Sequence, residues 1–220
     1  MAAIGEAEMQ SNKSERAKRA RRMLLCASGA YICYGLPRIV LHLLRHVADD
    51  VQVVLSPAAA KLVSPYALEV ASRNRVFVNM DDRGDGIYVP HIELGRNIDL
   101  IVVFPATVNI LGKVANGIAD ELISALILAA EVPVIFVPVS NPAMIDHPAV
   151  QRNIERLQSD GYVVTPPLVG PEVATREGME LLGESFPIPS LLLQMTAVLS
   201  DGRIRGRAQR VAKSTRESNG

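Results

Sequence analysis

The chain lacks tryptophan, has two cysteines in 220 residues, and is only 4% aromatic. A core must therefore be filled by aliphatic side chains, and Ala, Val, Ile and Leu are abundant enough to do so. Cys26 and Cys33 cannot make a disulfide framework or a cysteine-built metal site. Both lie in or near the first apolar run and read as small core residues. Charge of one sign is not in excess, since 23 Lys and Arg balance 23 Asp and Glu, so nothing marks the body of the chain for nucleic acid. Spanning a bilayer takes about 20 consecutive apolar residues, and no run of that length is free of charge and proline. Met1–Ala20 is polar and has no apolar signal-peptide core. A cytoplasmic protein without a membrane segment is the expectation. No repeat is visible.

Metal-binding patterns are also missing. His42 and His46 stand four apart on a helical pattern without a third ligand. The acidic loop Asp81–Gly86 lacks the spacing and closing glutamate of a calcium loop and reads as a solvated turn.

What is present is an alternation of apolar runs and helical patterns. Runs at Met23–Ala27, Val51–Leu55, Val76–Val78, Ile98–Phe104, Pro133–Val137 and Tyr162–Thr165 read as strands. Helical patterns over Tyr31–His46, Ala58–Ser64, Pro65–Asn74, Ile110–Asp120, Glu121–Ala130, Pro148–Asp160 and Ser190–Leu199 separate or follow them, and Gly161 suits a helix end. This order predicts a Rossmann-like, flavodoxin-like α/β/α sandwich around a parallel sheet. One domain is expected over residues 23–200, and the Pro/Gly-rich stretch 166–189 suits a substrate flap. Residues 1–22 and 201–220 read as flexible basic ends, either merely solvated or steering an acidic peptide.

In such a sheet, ligands bind at the carboxyl ends of the strands. Phe104-Pro105-Ala106-Thr107-Val108-Asn109 is the stretch that organises the chain. Pro105 is expected to end its strand, and the polar turn opens the next helix. Ser28-Gly29-Ala30 is a small-residue turn after the first strand, suited to a phosphate or to plain packing. Ser56 follows the second strand and suits a helix cap, a phosphate contact, or both. Pro138-Val139-Ser140-Asn141-Pro142-Ala143-Met144 is a second polar loop at a strand end. His91 lies just before the organising strand, where a histidine has a structural reading as well as a catalytic one.

These residues reach a known family. Pro105-Ala106-Thr107-Val108-Asn109 resembles the Pro-Ala-Ser-Ala-Asn-Thr motif of the homo-oligomeric flavin-containing cysteine decarboxylases. Lys113-Val114-Ala115-Asn116-Gly117-Ile118-Ala119-Asp120 is similar to its Lys-Ile-Ala-Asn-Gly-Ile-x-Asp continuation. His91-Ile92-Glu93-Leu94, fourteen residues before Pro105, resembles the catalytic histidine segment. Pro138-Val139-Ser140-Asn141 stands where the family has Pro-Ala-Met-Asn, and Met144 and His147-Pro148-Ala149-Val150-Gln151-Arg152-Asn153-Ile154 continue the match. The resemblance covers roughly Met23 to Thr165. Thr107, Val108 and Ile110 replace Ser, Ala and Thr of the family pattern, and Ala30 removes one hydroxyl from the first turn.

The resemblance implies an FMN enzyme. It is nearest to the peptidyl-cysteine decarboxylases of ribosomal peptide biosynthesis. They oxidatively decarboxylate the C-terminal cysteine of a precursor peptide to an aminoenethiol, which later forms an aminovinyl-cysteine ring. Oxidation of the cysteine to a thioaldehyde creates the electron sink that lets CO2 leave. His91 is implied as acid/base, and Asn141 as the carboxylate ligand. Ser28, Gly29, Ala30 and Ser56 are implied at the FMN phosphate, and Thr107, Val108, Asn109 and Val139 at the flavin. Met144 is implied on the substrate side. A trimer or dodecamer with FMN at subunit contacts is implied, and other peptide-modifying enzymes are possible partners. The alternatives are phosphopantothenoylcysteine decarboxylase, which uses a flap cysteine that this chain does not carry, and a non-catalytic flavoprotein regulatory subunit. Flavin prenyltransferase, of the same fold, is disfavoured by His91 and Asn141.

Overall fold

The computed structural model describes residues 20–84, 86–96 and 98–168. Five parallel strands form one sheet in the order β2-β1-β3-β4-β5: β1 Ala20–Ala27, β2 Ala48–Leu55, β3 Leu100–Ala106, β4 Val134–Pro138 and β5 Val163–Val164. The central strands are apolar on both faces, as a sheet covered on both sides requires. Leu25, Val53, Val102 and Ile135 project to one layer, with α1 Leu36–His46 and α2 Pro65–Ser72 among the elements there. Leu24, Val54, Val103 and Phe136 project to the other, under α4 Val108–Ala115, α5 Leu122–Ala129 and α7 Pro148–Ser159. The expected α/β/α sandwich is what is observed.

Several boundaries differ from the sequence reading. β1 begins at Ala20, so the last three residues of the expected N-terminal arm lie in the sheet, where the amides of Arg21 and Arg22 both donate to Asp99 Oδ2. The first helical stretch splits into a 3-10 turn, Tyr31–Gly35, and α1, with Pro37 in the first turn of α1. Residues 76–78 make only one bridge, Phe77 to Val54, rather than a strand. Asp82 explains the acidic loop: its carboxylate accepts from the amides of Val78 (2.6 Å) and Asn79 (2.9 Å). Most of the expected flap, the final helix and nearly all of both basic ends lie outside the described residues.

Pro105 does not end β3. The strand continues through it to Ala106, with a register shift against β4 between Val103 and Ala106 and a cis Phe104–Pro105 bond. A proline removes only a donor from the ladder, and its carbonyl stays available. Here that carbonyl accepts the Ser28 amide at 3.1 Å.

Behind the loop, α4 ends at Ala115, five residues earlier than Asp120. Asn116 donates from Nδ2 to Gly112 O (2.8 Å), and Gly117 takes the left-handed conformation, φ 70°, that ends a helix. Two further segments of the family pattern are also helix caps. Asn141 Oδ1 accepts from Ala143 N (2.9 Å) at the start of α6 Pro142–Ile145, and His147 Nδ1 accepts from Ala149 N (3.2 Å) at the start of α7.

Candidate active site

The two neighbours of β1 in the sheet are β2 and β3, so the chain reverses its direction of build at the β1/β3 boundary. A crevice forms at the carboxyl ends of strands at such a point. An open cavity of about 430 Å³ lies there, within the range of roughly 300–1,000 Å³ usual for small-molecule sites. Its lining comes from four strand ends: Ser56 and Ala58 after β2, Ser28, Gly29 and Ala30 after β1, Thr107, Val108 and Asn109 after β3, and Val139, Ser140 and Met144 after β4. Glu121, which caps α5, completes it. Eight residues read from the sequence as cofactor contacts thus meet in one place, with Met144 beside them.

Ser28 is 4% exposed, and its hydroxyl works inside the protein. It donates to Pro105 O (2.8 Å), accepts the amide of Thr107 (2.8 Å) and lies 3.0 Å from the Thr107 hydroxyl. The side chain therefore ties the β1 end to the β3 end at the cavity wall. Gly29 serves close packing: a Cβ there would lie 2.5 Å from the Ala58 Cβ. The Ser56 hydroxyl accepts Ala59 N (3.1 Å), the expected cap, and keeps its proton to donate to an anion. Thr107 opens α4 without a side-chain cap bond, and the first amides of that helix, which have no intrahelical acceptors, belong to residues that line the cavity. These donors fit the phosphate and polar ring edge of a flavin nucleotide, and no cation stands among the described lining residues.

Glu121, Ser140 and Ala58 were not singled out from the sequence. Glu121 Oε1 is 2.9 Å from Lys113 Nζ, which is also 2.9 Å from Asp120 Oδ1. The bond to Asp120, opposed by desolvation and helped by Glu121, holds the Lys113 ammonium above its ordinary pKa. Only tertiary structure could place Glu121 here, because a helix cap next to a lysine and an aspartate looks like surface in the sequence.

His91 and Asn141 do not line the cavity of the single chain. Asn141 sits between two residues that do, Ser140 and Met144. His91 is half-buried in a four-residue helix, α3 Pro90–Glu93, which packs against α5. Around it Tyr88, Val89 and Ile92 are exposed by 73%, 39% and 44%, a high apolar exposure for one short segment. Among the described residues no His, Cys, Asp and Glu cluster could hold a metal ion, and no helix is long and apolar enough to cross a membrane.

A family model described as Flavoprotein matches residues 11–185. The chain belongs to the Flavoprotein family. It is 39% identical over 150 residues to the coenzyme A biosynthesis bifunctional protein CoaBC of Bacillus subtilis (strain 168), covering 68% of this chain and 37% of that protein. The chain thus spans little more than a third of that relative. It is 34% identical over 144 residues to a probable phosphopantothenoylcysteine decarboxylase of Streptococcus mutans serotype c, covering 64% of this chain and 80% of the relative. Among solved structures it is similar to the FMN-dependent cysteine decarboxylase SpaF, with TM-score 0.61, 34% identity, and coverage of 66% of this chain and 82% of that one. The corresponding values for TvaF, an FMN-dependent cysteine decarboxylase from thioviridamide biosynthesis, are 0.63, 29%, 80% and 98%. Family and neighbours agree with the cavity: the cofactor is FMN.

Proposed function

We propose that the protein is an FMN-dependent cysteine decarboxylase acting on the C-terminal cysteine of a ribosomally made peptide and releasing an aminoenethiol. The observation that carries the peptide reading is the place of its thiols. The 220 residues contain Cys26 and Cys33 only, and both are fully buried around β1. Neither can hand a hydrogen to an enethiol held at the cavity. A phosphopantothenoylcysteine decarboxylase in which a cysteine was replaced by serine has been solved with pantothenoylaminoethenethiol; it is 26% identical to this chain with TM-score 0.61. That complex supports an unsaturated product where a reducing thiol is missing.

FMN, when bound, would supply the two-electron oxidation of the cysteine side chain, with an outside oxidant such as dioxygen as the final electron acceptor. The protein supplies position and proton transfer. Ser56 and the first amides of α4 hold the phosphate and ring edge of FMN, and Ser28 positions Thr107 for that contact. Asn141 donates from Nδ2 to the substrate carboxylate, because its Oδ1 faces the amide of Ala143. A neutral amide orients the carboxylate without a full countercharge that would stabilise it against leaving. His91 takes the thiol proton as general base. In the homo-oligomer of this reading, His91 of one copy serves the cavity of another, and the exposed Tyr88, Val89 and Ile92 form that contact.

The second reading is phosphopantothenoylcysteine decarboxylation, favoured by the curated relatives. Mass spectrometry separates the two. Purified protein with FMN is given peptides ending in cysteine and, separately, phosphopantothenoylcysteine. Loss of CO2 and two hydrogens from peptides, absent with His91→Asn, is expected. Conversion of phosphopantothenoylcysteine to the saturated thiol, with peptides untouched, overturns the peptide reading in favour of the second.

A further inference from the structure

Among the described residues lining the cavity, Glu121 is the only one with an ionisable carboxylate or ammonium group. Its side chain is only 15% exposed, and that of Lys113 is 20% exposed. Asp120, the third member of the cluster, is 56% exposed and does not line the cavity. The carboxylate is also fixed in place. It takes the Lys113 ammonium at 2.9 Å and accepts the backbone amide of Ser124 as the cap of α5. One lysine between two carboxylates leaves the cluster with a net negative charge, of which only Glu121 lies at the cavity, while the other described lining residues offer hydroxyls, amides and apolar groups.

A carboxylate in that place does not serve the nucleotide phosphate, which it repels. Its effect falls on the ring. Two electrons and one proton convert oxidised FMN to a reduced form with one negative charge on the isoalloxazine, and fixed charge nearby sets how readily that charge is accepted. We propose that Glu121, held at the cavity wall by Lys113, lowers the reduction potential of bound FMN by disfavouring negative charge on its ring. Reduced cofactor is then held more weakly than oxidised cofactor and gives up its electrons more readily. That suits an enzyme whose reaction ends in an oxidised product and so leaves the cofactor reduced after every turnover. The inference rests on FMN occupying this cavity, and its test reads that separately.

The experiment is a dye-coupled reductive titration of the FMN-loaded protein. FMN content comes from visible absorbance, and folding from thermal melting. Glu121→Gln keeps a side-chain oxygen for the Ser124 amide and removes the charge. It is expected to favour reduced over oxidised FMN by about tenfold, which for a two-electron couple is a rise of about 30 mV. Lys113→Gln removes the cation and is expected to move the potential the other way. Asp120→Asn, changing a solvated charge outside the lining, is expected to shift it less than Glu121→Gln. A purely structural role of the cluster would move the Glu121 and Lys113 variants in the same direction, and that result overturns the proposal. So does an unchanged potential in folded, FMN-loaded Glu121→Gln. A folded wild type that takes up no FMN overturns the cofactor assignment itself and the inference with it.

Discussion

Ser28 and Ser56 follow adjacent strands, yet they do different work. Ser56 keeps a proton to give away, whereas the Ser28 hydroxyl is surrounded by Pro105 O, Thr107 N and Thr107 Oγ1. Removing a buried hydroxyl leaves its partners unsatisfied, at a cost of about 1–3 kcal/mol. Ser28→Ala is therefore expected to lower stability by about that much and to weaken FMN binding through the loosened Thr107 turn. Chemical denaturation and FMN titration measure the two effects. Ser56→Ala is expected to show the reverse emphasis, with the larger loss in FMN affinity. The two thiols are equally specific in their placing. Burial pushes the Cys33 thiol up to about 11, against weaker opposing backbone bonds, and burial raises Cys26 further. A thiolate is the reactive form, so neither cysteine should react with a thiol reagent at pH 8 until the protein unfolds. Fast labelling of the folded protein would count against the buried placing and against the argument built on it about the product.

At the scale of elements, most of the family pattern is helix punctuation. Asn116 and Gly117 stop α4, while Asn141 and His147 start α6 and α7. Gly117 has open space where a Cβ would go, so a side chain there is opposed by φ alone. Gly117→Ala should cost about 1–2 kcal/mol of stability and leave FMN affinity as it was. Asn141 is different, because it caps a helix and also carries a proposed contact. Asp caps a helix as well as Asn does, so Asn141→Asp should fold and bind FMN. It should nonetheless lose decarboxylation, since a second carboxylate repels that of the substrate. Normal turnover by a folded Asn141→Asp would remove Asn141 from the carboxylate site. The sheet and the helix end at Gly161 were legible because they follow from aliphatic runs and from Gly placement, whereas the stop at Gly117 was not, because the apolar pattern carries on past it. The passage of β3 through Pro105 was not, because the usual meaning of a proline is lost when a register shift lets the strand do without that donor. The short α3 and the reduction of residues 76–78 to a single bridge fall below the length at which periodicity carries information.

For the whole molecule, the distribution of the proposed groups matters more than any one of them. Most of the cavity lining was readable, since strand ends in a parallel sheet must converge on one edge. His91 was readable only as a residue type in a family pattern, and its place on α3 leaves it off the cavity lining of its own chain. Two explanations differ in consequence. If His91 reaches the cavity of the same chain, each copy is a complete enzyme. If it serves a neighbouring copy, each copy is half of two sites. His91→Asn and Asn141→Asp should each be inactive alone. Co-expressed in equal amounts and purified as mixed oligomers, they would regain no activity under the first arrangement, because every chain carries a damaged site. Under the second, random assembly pairs an intact His91 with an intact Asn141 at about a quarter of the sites of a cyclic oligomer. Recovery of activity toward that fraction is the expected outcome. Mass analysis should show that the two variants do mix, and if they mix with no recovery then His91 acts within its own chain.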